Sequence, residues 1–587
     1  MSDNSLQGIQ TPEIQKANRE SSDIRPKKVE QWIQELPLAN IGETARQVYQ
    51  RLKEMNRLVI NEQNRLKLSE QLRPSIQYIT KNLCQHFINS NFPLSEKGNK
   101  VAHLCRELNS EMAIGYKHVI KDITVSRLSI LNKKTLTIAI HRSLRYFSQL
   151  HFQSAIIYET SENHFWVEVN QLYYFSEQNK LSNIPVKDSE FEKNSTIEDI
   201  YKQIILLSLS SPTHLKQSEI KQFFEISAQW VKHIELYKPE KDTQLATFII
   251  HLMSNSPPKY TKLYGREINL FCRCISTKKL IQVLHNDLKT SNTEQNNFGN
   301  IERKVILHLL HHWSSPRKRQ SPRNAGEEDI EVATGIKDIE KLILSLEKEN
   351  NQQNQAQEAL PSDWLDSSRN NLDEDDFNLN EIGLMPKGNE FENVPKFNTD
   401  NIWKNVSKNK EKKTSLTYPC RIIDESAGGY SLLWYTSNES KIRIGELIGI
   451  KSEMGKSCGI GILRWIQQRP DSGLCMGIQV LAQKCQTVTV TTTNDGEKAI
   501  STGIIFQNNI ETNANLCFIT NNTNHRKGSI LTIKEGDNNY KIRLMQLVEK
   551  ALTFKHYSYV DLEARSHNKS NQSNENSDDF DSVWSLL

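Results

Sequence analysis

The six-residue turn Asp424-Glu425-Ser426-Ala427-Gly428-Gly429, flanked on both sides by apolar runs, is the stretch where residue types and spacing suit ligand recognition best. A short carboxylate and a hydroxyl at such a turn present an acceptor and a donor to the edge of a bulky planar ligand. Gly428 and Gly429 let the backbone take positive φ and come close to it. Arg421 lies three residues before Asp424, and Lys408, Lys410, Lys412 and Lys413 cluster upstream, so these five are the phosphate candidates. A lysine neutralises phosphate as a point charge, without the bidentate fork of an arginine.

Other clusters read as structure. His308, His311 and His312 beside Trp313, and the pair Cys272 and Cys274, lack partner ligands at a recognised zinc spacing. They read as helix-surface histidines and buried thiols, so no metal is expected. The run Arg317-Lys318-Arg319-Gln320-Ser321-Pro322-Arg323 has no adjoining aromatic platform and reads as a solvated linker. Nucleic-acid binding through it predicts steep salt dependence, but a net charge of +4 on 587 residues argues against that reading. There is no Walker loop, no Gly-x-Ser-x-Gly elbow and no plausible triad, so no enzyme activity is expected.

The elements that must hold the turn are strands. From Tyr418 to Glu563 the period is two, with candidate strands at 419–424, 430–435, 446–451, 459–465, 474–481, 488–493, 502–506, 516–519, 529–533 and 540–548. This reads as all-β, closed into a small barrel that removes exposed edges.

The first half reads as all-α. Ile41, Ala45, Val48, Leu52, Met55 and Val59 line one helix face; Leu72 to Phe87 forms a second helix with Pro74 in its first turn, and Val101 to Met112 a third. Trp166, Val169 and Tyr173 follow, then a capping box at Ser195 to Glu198, and helical pieces around Phe223, Phe248 to Met253 and Ile301 to Trp313.

A multidomain chain results: a polar tail (1–35), a helical interaction domain (36–313), a largely disordered linker with one helix at 336–348 (314–400), a β-barrel (401–484), a further β segment (485–565) and a polar tail (566–587) ending in a possible docking peptide, Phe580 to Leu587. Hydrophobic residues at 37% and charged residues at 25% are globular values diluted by Asn, Gln and Ser. Neither a signal peptide nor a run of about 18 apolar residues is present, so a cytoplasmic protein is expected. The nine scattered cysteines read as reduced thiols.

The turn resembles the Asp/Asn-x-Ser-x-x-Gly motif of PilZ domains, bacterial receptors for cyclic di-GMP. Gly445 to Ile450, Gly459 to Trp465 and Leu474 to Leu481 fall in the order of the later PilZ strands. The resemblance implies a non-enzymatic signalling adaptor that binds cyclic di-GMP through Asp424, Ser426, Gly428 and Gly429, with partner proteins on the helical domain. In the family an Arg-x-x-x-Arg element just upstream of the barrel grips the phosphates and stacks on guanine. Upstream of Tyr418 there is only Trp403 to Lys413, with lysines and no arginine pair. The alternative is therefore a PilZ-like scaffold that has lost the nucleotide and works through protein contacts alone. Glu358-Ala359-Leu360 matches the signature tripeptide of cyclic di-GMP phosphodiesterases, but in a Gln/Asn-rich linker it reads as coincidence.

Overall fold

The computed structural model describes residues 6–18, 21–125, 132–161, 163–191, 193–239, 247–289, 301–314, 322–358, 417–435, 442–452, 457–469, 473–494, 497–508, 515–522, 524–535, 538–551 and 553–563. Its first part is helical: α1 (Pro26–Gln34), α2 (Ile41–Met55), α3 (Glu62–Cys84), α4 (Glu96–Val125), α5 (Lys133–Ile156) and α6 (Phe165–Gln178). The Asn40 and Asn61 side chains accept from the Glu43 and Asn64 N–H groups at 3.1 and 2.9 Å and so open α2 and α3. Because α3 begins at Glu62, Pro74 lies in its interior rather than its first turn. The proline costs about 3 kcal/mol. Full burial of Leu68, Leu72, Ile76 and Ile79 on the same helix, each contributing about 1.5–3 kcal/mol, outweighs it.

A hairpin of β1 (Val186–Asp188) and β2 (Lys193–Ser195) precedes α7 (Ile197–Leu209). The capping box here uses Thr196 and Asp199, one residue later than expected, because Ser195 belongs to β2. After α8 (Gln217–Trp230), strands β3 (Glu235–Tyr237), β4 (Phe248–His251), β5 (Lys259–Tyr260) and β6 (Cys272–Ser276) form a four-stranded sheet. The stretch from Phe248 expected as helical is thus a strand, since a short, fully apolar run has no period to separate the two. Helices α9 (Lys278–Lys289) and α10 (Arg303–Ser314) complete this part.

The stretch after residue 314 does not stay a linker. It supplies β7 (Asn324–Ala325), β8 (Asp329–Thr334) and α11 (Gly335–Glu358). With β9 (Tyr418–Ser426), β10 (Gly429–Trp434), β11 (Leu447–Ser452), β12 (Cys458–Arg469) and β13 (Gly473–Ala482), these strands build one antiparallel sheet. The pairings β8–β9, β9–β10, β10–β13, β13–β12, β12–β11 and β11–β8 close it into a six-stranded barrel, and β7 continues along β9 beyond β8.

A second closed barrel contains β14 (Gln486–Asn494), β15 (Glu497–Asn508), β16 (Asn515–Thr520), β17 (Ile530–Glu535), β18 (Asn538–Lys550) and β19 (Lys555–Asp561). β19 was not among the expected strands. Its buried Tyr557 and Tyr559 help fill the lumen with Val490, Phe518, Ile533 and Leu544. Helix α11 stands between the barrels. Its stripe Ile339, Leu342, Ile343 and Leu346 packs in one cluster with Ile460 and Ile462 of the first and Ile504 and Ile519 of the second.

The first barrel shares one continuous core with the helical part. The Phe92 and Gln468 N–H groups donate to the Ile442 and Tyr158 carbonyls at 3.0 and 2.8 Å, and Arg443 Nε donates to Asn91 Oδ1 at 2.7 Å. All nine cysteines are free thiols.

Candidate functional site

The turn lies where β9 passes to β10. Arg421, Ile422 and Asp424 pair with Leu433, Leu432 and Ser431, which leaves Ile423 without an opposite residue as a β-bulge. Side chains two apart on β10 share a face, so Leu433 and Ser431 do, and their partners Arg421 and Asp424 do as well. Without the extra residue Asp424 would point inward beside Ile422. The bulge instead places Asp424 on the outer face, and Ser426 with it.

Gly429 pairs with both Ser426 and Gln479, and an added Cβ there would sit 2.0 Å from the Ile478 carbonyl oxygen. Its φ of +159° is positive as expected, and close approach to β13 adds a second requirement for glycine. Gly428 lies outside the positive-φ region and has open space around it, so the expectation is corrected at Gly428 alone. The Gly428 carbonyl accepts from the Val480 N–H at 3.1 Å, and Ser426 Oγ donates to the Gly429 carbonyl at 3.3 Å.

The largest departure from expectation is the source of the cation at Asp424. β7 pairs Asn324 with Glu425 and Ala325 with Asp424, which brings Arg323 onto the turn. Arg323 Nη1 lies 2.9 and 3.0 Å from the two Asp424 carboxylate oxygens. Gly326 makes this course possible: an added Cβ would fall 2.4 Å from Ile422 Cγ2, so only a glycine lets the chain cross β9 so closely before β8 begins.

Arg421 is exposed on the same face, where its hydrogen bond with Tyr435, with Asp329 and Glu327 nearby, raises its pKa. Lys408, Lys410, Lys412 and Lys413, with Trp403, lie outside the described residues, as do Ala359, Leu360 and the terminal Phe580 to Leu587. The basic run read as solvated linker thus ends in a residue of the site. Two signals were available for it: Arg319 and Arg323 stand four apart, and Asp329 to Thr334 alternates polar and apolar before the helix. Arg319 itself is outside the described residues.

A family profile described as the middle PilZ domain of the cyclic-di-GMP receptor FimW matches residues 247–487. These residues form a PilZ domain. The PilZ match takes in both the segment carrying Arg319 and Arg323 and the turn, and it ends at the start of the second barrel. A second profile, the N-terminal domain of the same receptor, matches residues 27–241. The chain is also similar to the cyclic-di-GMP receptor FimW of Pseudomonas aeruginosa, at 25% identity over 494 residues that cover 81% of this chain and 80% of that protein. No solved structure matches. Among the described residues of this chain no helix is long and apolar enough to cross a membrane, and no group of three or more His, Cys, Asp or Glu side chains is placed to hold a metal ion.

Proposed function

We propose that the PilZ barrel binds cyclic di-GMP and that the chain is a non-enzymatic, cytoplasmic signalling adaptor whose helical domain engages partner proteins. Asp424, Ser426 and Gly429 supply the Asp-x-Ser-x-x-Gly half of the grip. The observation that carries the reading is Arg323 on Asp424, because with Arg319 four positions earlier it supplies the Arg-x-x-x-Arg half. The similarity to a cyclic-di-GMP receptor supports the same ligand. Gly428, Arg421 and the lysines at 408, 410, 412 and 413 remain secondary candidates: the first lends its carbonyl to the barrel, Arg421 stands among acidic neighbours, and lysines would add only point charges.

Energetics favour an exchange of partners at Arg323. Its ion pair with Asp424 is partly exposed, with side-chain accessibilities of 42% and 26%, and such pairs contribute about 1 kcal/mol or less. A phosphodiester, whose two non-bridging oxygens share one charge, can take two guanidinium N–H groups in parallel, whereas on Asp424 Nη1 alone meets both oxygens. The idea of a barrel that has lost its nucleotide rested on a missing arginine pair, and Arg323 removes that ground.

Isothermal titration of the full chain with cyclic di-GMP should give saturable heat. Arg323→Ala, Arg319→Ala and Asp424→Ala/Ser426→Ala should each weaken binding by at least about tenfold, the scale of one charge-assisted hydrogen bond. Absence of heat at high micromolar ligand, or unchanged binding in the Asp424/Ser426 variant, would sink the proposal.

A further inference from the structure

A cleft of about 1130 Å³ opens in the helical domain between α3, α5, α7 and α8, away from every residue of the nucleotide turn. Its walls are built from rows that repeat every four residues and so stack on one helix face: Gln77 and Lys81 on α3 with Gln85 at its C-cap, and Arg145, Gln149 and Gln153 on α5. The floor is aromatic. Phe152 and Phe224 stack with ring centroids 4.5 Å apart, and the Arg145 guanidinium lies 4.8 Å from the centre of the Phe191 ring.

Three polar atoms of the lining are buried with no hydrogen-bond partner among the described residues: Gln77 Oε1, Gln153 Oε1 and Arg145 Nε. Gln153 is 3% and Arg145 6% exposed. The Arg145 guanidinium is engaged, with Nη1 on Gln203 Oε1 at 3.0 Å, Nη2 on Ser195 Oγ at 3.1 Å and Nε in an ion pair with Asp188 at 3.6 Å. Unpaired polar atoms cost stability wherever they are buried. The Gln77 and Gln153 carboxamide oxygens, both in the lining of one large cleft, therefore point to a ligand that completes them.

The chemistry of that ligand follows from the lining. Carboxamides both donate and accept, which matches the alternating N–H and C=O groups of a peptide backbone. The volume exceeds that of an ordinary small-molecule pocket. At the rim Lys81, Lys221 and Lys232 are exposed, and with Arg145 they exceed the lining carboxylates Glu190, Asp199 and Glu225 by one charge.

We propose that this cleft binds an extended, acidic peptide segment of a protein partner, its backbone paired with the glutamine rows and its carboxylates facing the lysine rim. The proposal rests on the reading of the helical domain as the partner-binding half and names the site and the kind of partner.

The test pans a phage-displayed library of random peptides against the immobilised full chain, then measures the enriched sequences as synthetic peptides by fluorescence polarisation. Enriched peptides should be rich in Asp and Glu, and Lys81→Glu/Lys221→Glu should weaken them at least tenfold while leaving the melting temperature and cyclic di-GMP binding unchanged. Gln153→Leu separates a ligand-binding role from a structural one. It removes an unpaired buried carboxamide, so it should keep or raise the melting temperature and still weaken the peptides. Peptides that bind the helical domain but ignore all of these substitutions overturn the cleft and leave the partner-binding reading standing; a selection with no enrichment overturns both.

Discussion

Two adjacent glycines that look alike in sequence do different work. A Cβ on Gly429 would meet the backbone of β13 at 2.0 Å, and no rotamer can relieve a clash with a carbonyl oxygen. A Cβ on Gly428 meets nothing within 4 Å. Gly429→Ala should therefore force β10 away from β13 and destabilise the chain by about 1–3 kcal/mol, the range for overpacking. Gly428→Ala should stay within about 0.5 kcal/mol. Urea denaturation of the two variants distinguishes them, and equal losses would show that the turn is not held against β13 as described.

At the scale of elements, α5 carries a pH dependence. Burial lowers the pKa of His151 to about 4, and its imidazole stacks on Phe165 with a centroid distance of 5.2 Å. Burial, followed by Arg145, Arg142 and Arg73, lowers that of His141 to about 2. Both rings are neutral in the folded chain and bind protons near pH 6.5 once unfolded. The unfolded state then holds more protons below that value, so stability is complete above pH 6.5, falls as the pH drops toward 4, and for His141 continues to fall toward 2. His151→Phe keeps the stacked ring and removes one titration. It should flatten the decline between pH 6.5 and 4 in denaturation midpoints measured at successive pH values, and an unchanged slope would refute the assignment.

Elements also mark how far the sequence could be read. Helices with a sustained 3.6 period, such as Ile41 to Met55, were legible, as were strands β9 to β18 with their period of two. The pieces that finish the site were not. β7 and β8 meet β9 only across residues 335–417, and no local pattern states which distant strand a two-residue stretch such as Asn324–Ala325 will join. Within the site, Asp424, Ser426 and Gly429 were legible as a motif, and Arg323 was lost with its strand. The bulge at Ile423 was invisible for a related reason: it appears only when the register with β10 is known.

At the scale of the whole molecule, a bidentate ion pair couples the second barrel to the first, beside the hydrogen bond that Thr553 Oγ1 donates to Glu446 Oε1 at 2.9 Å. Arg464 of β12 places Nη1 and Nη2 each 2.8 Å from the two Glu549 oxygens of β18, while its Nε donates to Gln479 at 2.7 Å. Burial pushes the Glu549 carboxyl up, but the Arg464 guanidinium outweighs it and holds the pKa below the usual range. Gln479 is also the residue whose backbone pairs with Gly429, so the clamp begins directly behind the proposed nucleotide turn. Arg464→Ala removes a pair about as exposed as the one at Arg323, with side-chain accessibilities of 37% and 27%, so its loss costs about 1 kcal/mol or less. The second barrel should then loosen first: amide exchange in β18 and β19 should quicken by up to about fivefold, the equivalent of about 1 kcal/mol, while that of β9 and β10 changes less. Arg464→Lys, which keeps the charge but loses the fork, should fall between the wild-type chain and the alanine variant. If exchange in both barrels rises equally, the two unfold as one unit, and the α11 stripe rather than this clamp is what joins them.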